Sequence, residues 1–405
     1  MAISALRQGL PSVGPALQTQ FDLSLSQLGV LFGAVSLGIV LTVIPWGALA
    51  DRRGERAVIG AGMTGAAVAI AVAASASSYP TLVGALVVAG MFGASATGAS
   101  GRAVMGWFAR SQRGLALGIR QTGVPLGGGL AAIALPLIVA GFSLRAALLS
   151  LAAGCLAAAA TGWLWMREAP PPPPHRPAVR APPPTRDRRL WRLSTGSGLL
   201  VVAQSSVLGF VVIYLHDERG WSPAAAAAVL AAVQVGGSAV RILAGRWSDR
   251  REERVAPMRW MALAGSVFLA ATAVLTTGPD WLFVGAIAIA GILAMGWNGL
   301  SFTAAAELSG RERAGTAISV QNTVLSAGGA LAPMLFAPLV EATSWSLAWA
   351  TLTAFQLAGV AVLGASVTEE RRRKAARDAR LAAQATDGSW HSSTQIPTPV
   401  RQEPM

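Results

Sequence analysis

Residues 47–56 read Gly47-Ala-Leu-Ala-Asp51-Arg52-Arg53-Gly54-Glu55-Arg56 and lie between two apolar runs of membrane length. Two helices joined by so short a loop must lie side by side and antiparallel. The three arginines of the loop place it on the cytoplasmic side by the positive-inside rule. A second copy, residues 245–254, also keeps a glycine four residues before Asp-Arg-Arg. Two such loops in matching places predict a duplicated membrane protein.

The composition indicates an integral membrane protein. Hydrophobic residues make up 53% of the 405 positions and charged residues only 13%, with 45 glycines and a mean hydropathy of +0.52. Soluble globular proteins carry roughly 25% charged residues. The net charge of +13 is spread over short loops between apolar runs and does not form a basic patch with interleaved aromatic residues. It therefore indicates membrane topology and no nucleic-acid partner.

Residues for catalysis or metal binding are scarce. The single cysteine, Cys155, lies in an apolar run, and the three histidines fall in predicted linker, loop and tail. We can assemble no metal cluster, no nucleophile–base pair and no Walker-type phosphate loop from this inventory. The sequence therefore predicts no metal, no cofactor and no enzyme, and it disfavours transport driven by ATP.

Apolar runs of about 20 residues predict an all-α membrane protein with twelve transmembrane helices. The lysine and arginine residues test the topology, because 26 of the 32 fall in predicted inner segments and two in outer loops. This asymmetry predicts that both chain termini lie in the cytoplasm. The predicted spans are about 1–18, 27–50, 57–76, 81–106, 115–138, 145–166, 193–216, 224–245, 257–276, 281–306, 315–339 and 346–367.

The chain divides into halves at a linker, residues 167–192, that is rich in proline and arginine. We predict an N-terminal six-helix bundle at 1–166, a C-terminal bundle at 193–367 and a basic cytoplasmic tail at 368–405 with a disordered end. Matching glycines at offsets of 198 to 201 support two parallel repeats, with a site between them near the midplane. By that repeat the first helix should begin before Met1, and we expect an upstream start. A short first helix is the alternative.

The loop at 47–56 resembles the signature of the major facilitator superfamily, G-x-L-A-D-R-x-G-R-K, and the resemblance extends over residues 1–367. Glu55 departs from it, since a base is usual at that position. The resemblance implies a monomeric, multi-pass transporter of the cell (inner) membrane. It also implies that the loop latches the cytoplasmic face, whereas the alternative is a tight basic turn that only sets topology. The implied gating residues are Gly47, Asp51, Arg52, Gly54 and Arg56, with Gly245, Asp249 and Arg250 in the second copy.

Four arginines fall within predicted spans, but all 19 carboxylates lie in loops, tails or at span ends. A charge inside a bilayer is costly and is by default a functional hypothesis. Arg7 is the deepest of the four, and snorkelling to water is favoured for Arg241 and is an even alternative for Arg102 and Arg120. The polar residues predicted to line the substrate site are Arg7, Gln8, Arg102, Arg120, Gln121, Gln204, Trp297, Asn298, Gln321 and Asn322. Each could instead make an interhelical hydrogen bond.

Positive groups beside neutral amides suit a small anion, because a guanidinium grips a carboxylate or phosphate with two hydrogen bonds. The sequence therefore predicts a secondary transporter of a small organic or inorganic anion that works by alternating access. Two alternatives stay open: efflux of neutral or amphipathic compounds, and a membrane sensor that transports nothing. The partners expected are a small-molecule substrate and the lipid bilayer.

Overall fold

The computed structural model describes residues 1–107, 113–166, 184–309 and 313–386. The described part is helical and carries eleven apolar segments long enough to cross a membrane. The predicted linker up to residue 183 and the predicted disordered end from residue 387 lie outside the described residues. The helices are α1 (Ala2–Gly9), α2 (Gly14–Phe21), α3 (Leu25–Arg53), α4 (Glu55–Ala74), α5 (Tyr79–Trp107), α6 (Arg113–Gly141), α7 (Leu144–Trp165), α8 (Arg188–Asp217), α9 (Pro223–Arg251), α10 (Val255–Val274), α11 (Asp280–Gly296), α12 (Asn298–Ser309), α13 (Ala314–Ala342) and α14 (Trp345–Thr386).

The first predicted span is not one continuous helix. α1 and α2 are separated by a 3₁₀ turn at Leu10–Val13. Pro11 and Pro15 stand at the starts of the turn and of α2, where a residue without a backbone N–H is tolerated. The tenth span is also interrupted, because Trp297 separates α11 from α12.

Short polar signals begin and end the long helices. Ser24 and Gln27 form a capping box at the start of α3, and Ser222 caps α9 in a similar way. Gly54 alone joins α3 to α4, at a backbone φ of +81°, which glycine adopts without strain. The signature residues 47–56 therefore lie at the end of α3 and the start of α4, and Gly54 is the turn between the two helices.

The helices pack into two bundles, the N-terminal bundle (α1–α7) and the C-terminal bundle (α8–α14). α3, α4, α5 and α7 pack against one another in the first, and α8, α10, α13 and α14 do so in the second. The bundles meet along two seams, α3 on α13 and α6 on α9. We call the face that carries residues 51–56 and 249–254 the motif face, and the face that carries Ser26 and Glu341 the opposite face.

α14 continues well past the predicted end of the last span, and its basic extension lies on the motif face. Glu370 accepts hydrogen bonds from the backbone N–H groups of Arg254 and Val255 and so caps the start of α10. Further along, Lys374 donates to the carbonyl oxygen of Arg251 at 2.7 Å, and Arg377 pairs with Glu252. The extension of α14 therefore binds the second copy of the signature loop, and both belong to the C-terminal bundle.

Candidate functional site between the bundles

The seam between α3 and α13 closes the opposite face by direct backbone contact. Gly29 faces the carbonyl oxygen of Pro333 so closely that a Cβ atom there would overlap it. One turn further along α3, a Cβ at Gly33 would lie 2.5 Å from the carbonyl oxygen of Ala330. Small residues allow two helices to approach this closely in a membrane.

Aromatic rings and one carboxylate complete this closure. Phe32 of the N-terminal bundle meets Phe210 of the C-terminal bundle edge to face, with ring centroids 5.7 Å apart. Glu341 at the end of α13 accepts hydrogen bonds from the backbone N–H of Ser26, at 2.9 Å, and from its hydroxyl. A carboxylate at the N-terminus of α3 is also favoured by the helix dipole. Close packing and the hydrogen bonds to the Glu341 carboxylate therefore hold the two bundles together at the opposite face.

The motif face is built differently, because no described residue of another helix lies against its two glycines. A Cβ at Gly47 or at Gly245 would find nothing within 4 Å. Arg52 and Arg250 are exposed, and Asp249 pairs with Arg254 of its own bundle. Arg56 lies over the ring of Trp163, 6.0 Å from its centroid, and the Asp51 side chain lies outside the described residues. Among the described residues, the most extensive contacts between the bundles are those of α3 with α13 and of α6 with α9.

Between the two faces, α1, α6 and α9 meet at a polar junction. Gln8 and Gln234 approach Gly128 from two sides, since a Cβ there would lie 2.8 Å from the Gln8 Cβ and 2.5 Å from the Gln234 amide nitrogen. Gln234 is fully buried and Gln8 is 6% exposed. Among the described residues, the amide oxygens of Gln8 and Gln234 and the amide nitrogen of Gln234 have no hydrogen-bond partner.

Arg241 lies two turns along α9 from Gln234 and bridges the bundles. Its Nε donates to the carbonyl oxygen of Met295 at 2.8 Å, and its Nη1 donates to the carbonyl oxygen of Gln121 in α6 at 3.0 Å. Met295 also accepts from Asn298, beside the break between α11 and α12. The sequence favours snorkelling for Arg241, whereas in the structure its guanidinium is held by two main-chain acceptors.

Arg7 lies next to Gln8 on α1 and completes the junction. Its side chain is half-buried, and it makes no hydrogen bond or ion pair with any described residue. Arg7 adjoins Gln8, and Arg241 lies two turns from Gln234 on the same side of α9, so both arginines lie on the helices that meet at Gly128. Two arginines on these helices, with no carboxylate paired to either among the described residues, form an arrangement that an anion would stabilise.

The other predicted lining residues differ in where they lie. The side chain of Gln204 accepts from Asn298 at 2.9 Å, and the carbonyl of Gln121 accepts from Arg241, so these residues belong to the junction. Trp297 is buried in the core of the C-terminal bundle, and Gln321 accepts from Ser194 at 2.6 Å inside that bundle. Arg120 and Asn322 are half-buried, and the Arg102 side chain lies outside the described residues.

Sequence reasoning missed Gln234 and the bridging role of Arg241. A signal was present, since the two residues are seven apart and seven residues are close to two helical turns. They therefore share one face of α9, which also carries Ser238. A polar face on a membrane helix indicates that the helix turns it toward protein rather than lipid.

Two helical bundles that face each other across a polar junction define a membrane transporter, and comparisons with known proteins identify its family. The model of the Major Facilitator Superfamily matches residues 1–333, and the chain belongs to that family. An uncharacterised MFS-type transporter of Mycobacterium tuberculosis is 35% identical over 356 residues, which are 87% of this chain and 79% of that protein.

Two further comparisons place the chain more broadly. A hexuronate transporter of Bacillus subtilis is 26% identical over 137 residues, which are 34% of this chain and 32% of that protein. A crystal structure of a bacterial homologue of the human lysosomal transporter Spinster, inward-facing and unoccupied, aligns with a TM-score of 0.72. That alignment covers 91% of this chain and 93% of the other at 19% identity, and it shows the shared fold. The chain is thus a multi-span membrane protein of a transporter family.

Proposed function

We propose that this transporter carries a small anion across the cell membrane by alternating access, with Arg7 and Arg241 as its counter-charges. The observation that carries the proposal is the position of these two arginines on the helices that meet at Gly128, with no carboxylate paired to either among the described residues. Desolvated positive charges repel each other and are stabilised by an anion between them. The hexuronate transporter among the relatives handles an organic anion by its name, which supports the same class.

The proposal includes an orientation and a state. By the positive-inside rule, the arginines of the signature loops favour a cytoplasmic motif face, with both termini on that side. In this proposal the closed opposite face lies on the outer side of the membrane, and the structure represents the state that is open to the cytoplasm. The signature residues Gly47, Asp51, Arg52, Gly54 and Arg56 would latch the motif face in the other state, together with Gly245, Asp249 and Arg250.

Ligand-induced thermal stabilisation of the purified protein in detergent tests the proposal. A ligand that binds the folded state raises its melting temperature by mass action. We expect carboxylates or phosphate to raise it, and Arg7→Gln to abolish the rise. Arg53→Gln is the matched control, because Arg53 is an exposed arginine on the motif face, away from the junction.

Transport into liposomes gives the second readout. We expect uptake of the stabilising anion to be lost with Arg7→Gln and retained with Arg53→Gln. Stabilisation by neutral amphipathic compounds alone, equal in the wild type and Arg7→Gln, would replace this proposal with the efflux alternative. Binding without transport would indicate the sensor.

A further inference from the structure

We infer that the anion is a hydroxylated carboxylate, and that Gln8 and Gln234 recognise its hydroxyl groups. The inference rests on the proposed function and narrows its substrate class. It begins from two amide side chains that lie almost wholly inside the protein and leave three polar atoms without partners. Buried polar groups are normally hydrogen-bonded, and each exception requires an explanation.

The position of the two amides connects them with the charged part of the junction. Gln8 adjoins Arg7 on α1, and Gln234 shares a face of α9 with Arg241. The Cα atoms of Gln234 and Arg241 lie about 10 Å apart along the helix axis. A ligand that reaches both the guanidinium groups and the amides therefore needs a carbon chain and not a single tetrahedral centre.

The chemistry of the unpaired atoms determines what that chain carries. The two amide oxygens accept hydrogen bonds, and the Gln234 nitrogen donates them. A hydroxyl group both donates and accepts, so it satisfies either kind of atom. An alkyl chain satisfies neither and would leave all three polar atoms buried without partners. The carboxylate pairs with the arginines, and hydroxylated carbons face the amides.

Close packing around Gly128 links the binding of a ligand to a shift of α6 relative to α9. The Gln234 amide fills the space that a side chain at Gly128 would occupy, at the contact between α6 and α9. Both amides are buried in the structure, and we expect them to gain partners when α6 and α9 shift around a ligand. The unpaired amides thus raise the free energy of the empty site relative to the occupied one.

Binding of four six-carbon or inorganic probes tests the inference: glucuronate, hexanoate, glucose and inorganic phosphate. Glucuronate has the carboxylate and the hydroxyl groups, hexanoate has only the carboxylate, and glucose has only the hydroxyl groups. We expect the full-length wild type to bind glucuronate at least tenfold more tightly than each of the others. A site built to hydrogen-bond a hydroxyl group rejects an analogue that lacks it.

Gln234→Leu and Gln8→Leu then assign the preference to the amides. We expect each variant to bind glucuronate about tenfold more weakly while hexanoate binding is unchanged. The ligand-free melting temperature should stay the same or rise in Gln234→Leu, because an unsatisfied buried amide is removed. Gln356→Leu is the matched control, since Gln356 is equally buried inside the C-terminal bundle and donates to the carbonyl of Ala262.

The outcomes separate this inference from the proposed function. Equal binding of hexanoate and glucuronate, or tightest binding of phosphate, would overturn the inference and leave an anion transporter. Loss of glucuronate binding in Gln356→Leu to the same degree as in Gln234→Leu would also overturn it. Failure of every carboxylate and of phosphate to bind would overturn both.

Discussion

The two seams that join the bundles use different interactions. α3 and α13 meet through glycines and carbonyl oxygens, so that main chain lies against main chain. α6 and α9 meet through the glycine pair Gly128 and Gly129, the unpaired amide of Gln234 and the bridging guanidinium of Arg241. The first seam depends on shape, and the second depends on polar groups whose partners can change.

This difference suggests how one fold can hold one face shut and still respond to a ligand. Close-packed surfaces have few intermediate arrangements, because a shift of half an ångström already loses contacts. Hydrogen bonds to carbonyl oxygens can be exchanged for bonds to a ligand at small net cost. We therefore expect the opposite face to open as a unit and the polar junction to be the part that responds to substrate.

The largest effect should follow from adding a single methyl group to the shape-dependent seam. In Gly29→Ala the new Cβ overlaps the Pro333 carbonyl, and overpacking of this kind costs about 1–3 kcal/mol. The closed opposite face should become less populated by roughly five- to a hundredfold. Distances between spin labels on the two bundles measure this. For the opposite face the labels replace the exposed residues Phe142, just after α6, and Trp281, near the start of α11. For the motif face they replace the exposed residues Arg53 and Arg250.

Gly84→Ala is the control for that experiment, because a Cβ at Gly84, on α5 of the N-terminal bundle, meets no atom within 4 Å. We expect it to leave both label distances unchanged in the ligand-free protein. If Gly29→Ala also leaves the distance across the opposite face unchanged, the closure does not depend on the contact between α3 and α13.

A smaller but still large effect should follow from removing the guanidinium bridge. Arg241→Gln loses two charge-assisted hydrogen bonds across α6, α9 and α11, each worth about 1.5–3 kcal/mol before the cost of burying the charge is subtracted. We expect a lower melting temperature and loss of anion binding together. Arg246→Gln, an exposed arginine further along α9, should change neither. A stable Arg241→Gln protein with normal anion binding would contradict the assignment of Arg241 to the site.

Local signals in the sequence predicted most of the fold. Apolar length and the arginine-rich loops depend on the bilayer rather than on distant contacts, which is why the membrane helices and the two bundles could be predicted. The break at Leu10–Val13 also has a local cause in Pro11 and Pro15. The break at Trp297 has no proline and could not be predicted in this way.

The candidate site was harder, because it depends on how each helix is rotated about its axis. Trp297 and Gln321 face the interior of the C-terminal bundle, whereas Gln234 and Arg241 face the other bundle. Residue type does not show which of these side chains face the interior of their own bundle and which face the other bundle, since all four are plausible lining residues. Packing against helices far away in the chain determines the rotation, and only the structure shows it.

A modest effect should follow from neutralising the carboxylate on the opposite face. Glu341→Gln keeps an acceptor for Ser26 but loses the charge at the N-terminus of α3, which is worth about 0.3–1 kcal/mol. We expect the label distance across positions 142 and 281 to shift toward the open state by roughly two- to fivefold in population. Ser26→Ala should have a smaller effect in the Glu341→Gln background than in the wild type, because the charge-assisted part of the bond to its hydroxyl is already lost. Fully additive effects would show that Glu341 closes the face by another route.

The smallest effect should come from the exposed pairs that the α14 extension makes on the motif face. Arg377 and Glu252 are both exposed, and pairs of this kind contribute little because water and salt screen them. Hydrogen bonding and the charge of Arg377 hold the pKa of Glu252 below its ordinary value. The contribution is therefore present at neutral pH and is lost as the pH falls through this lowered pKa, where the carboxylate gains a proton. We expect Arg377→Gln to leave the melting temperature and both label distances unchanged at neutral pH. A clear opening or closing of the motif face in that variant would instead show that the extension controls how the two bundles separate there.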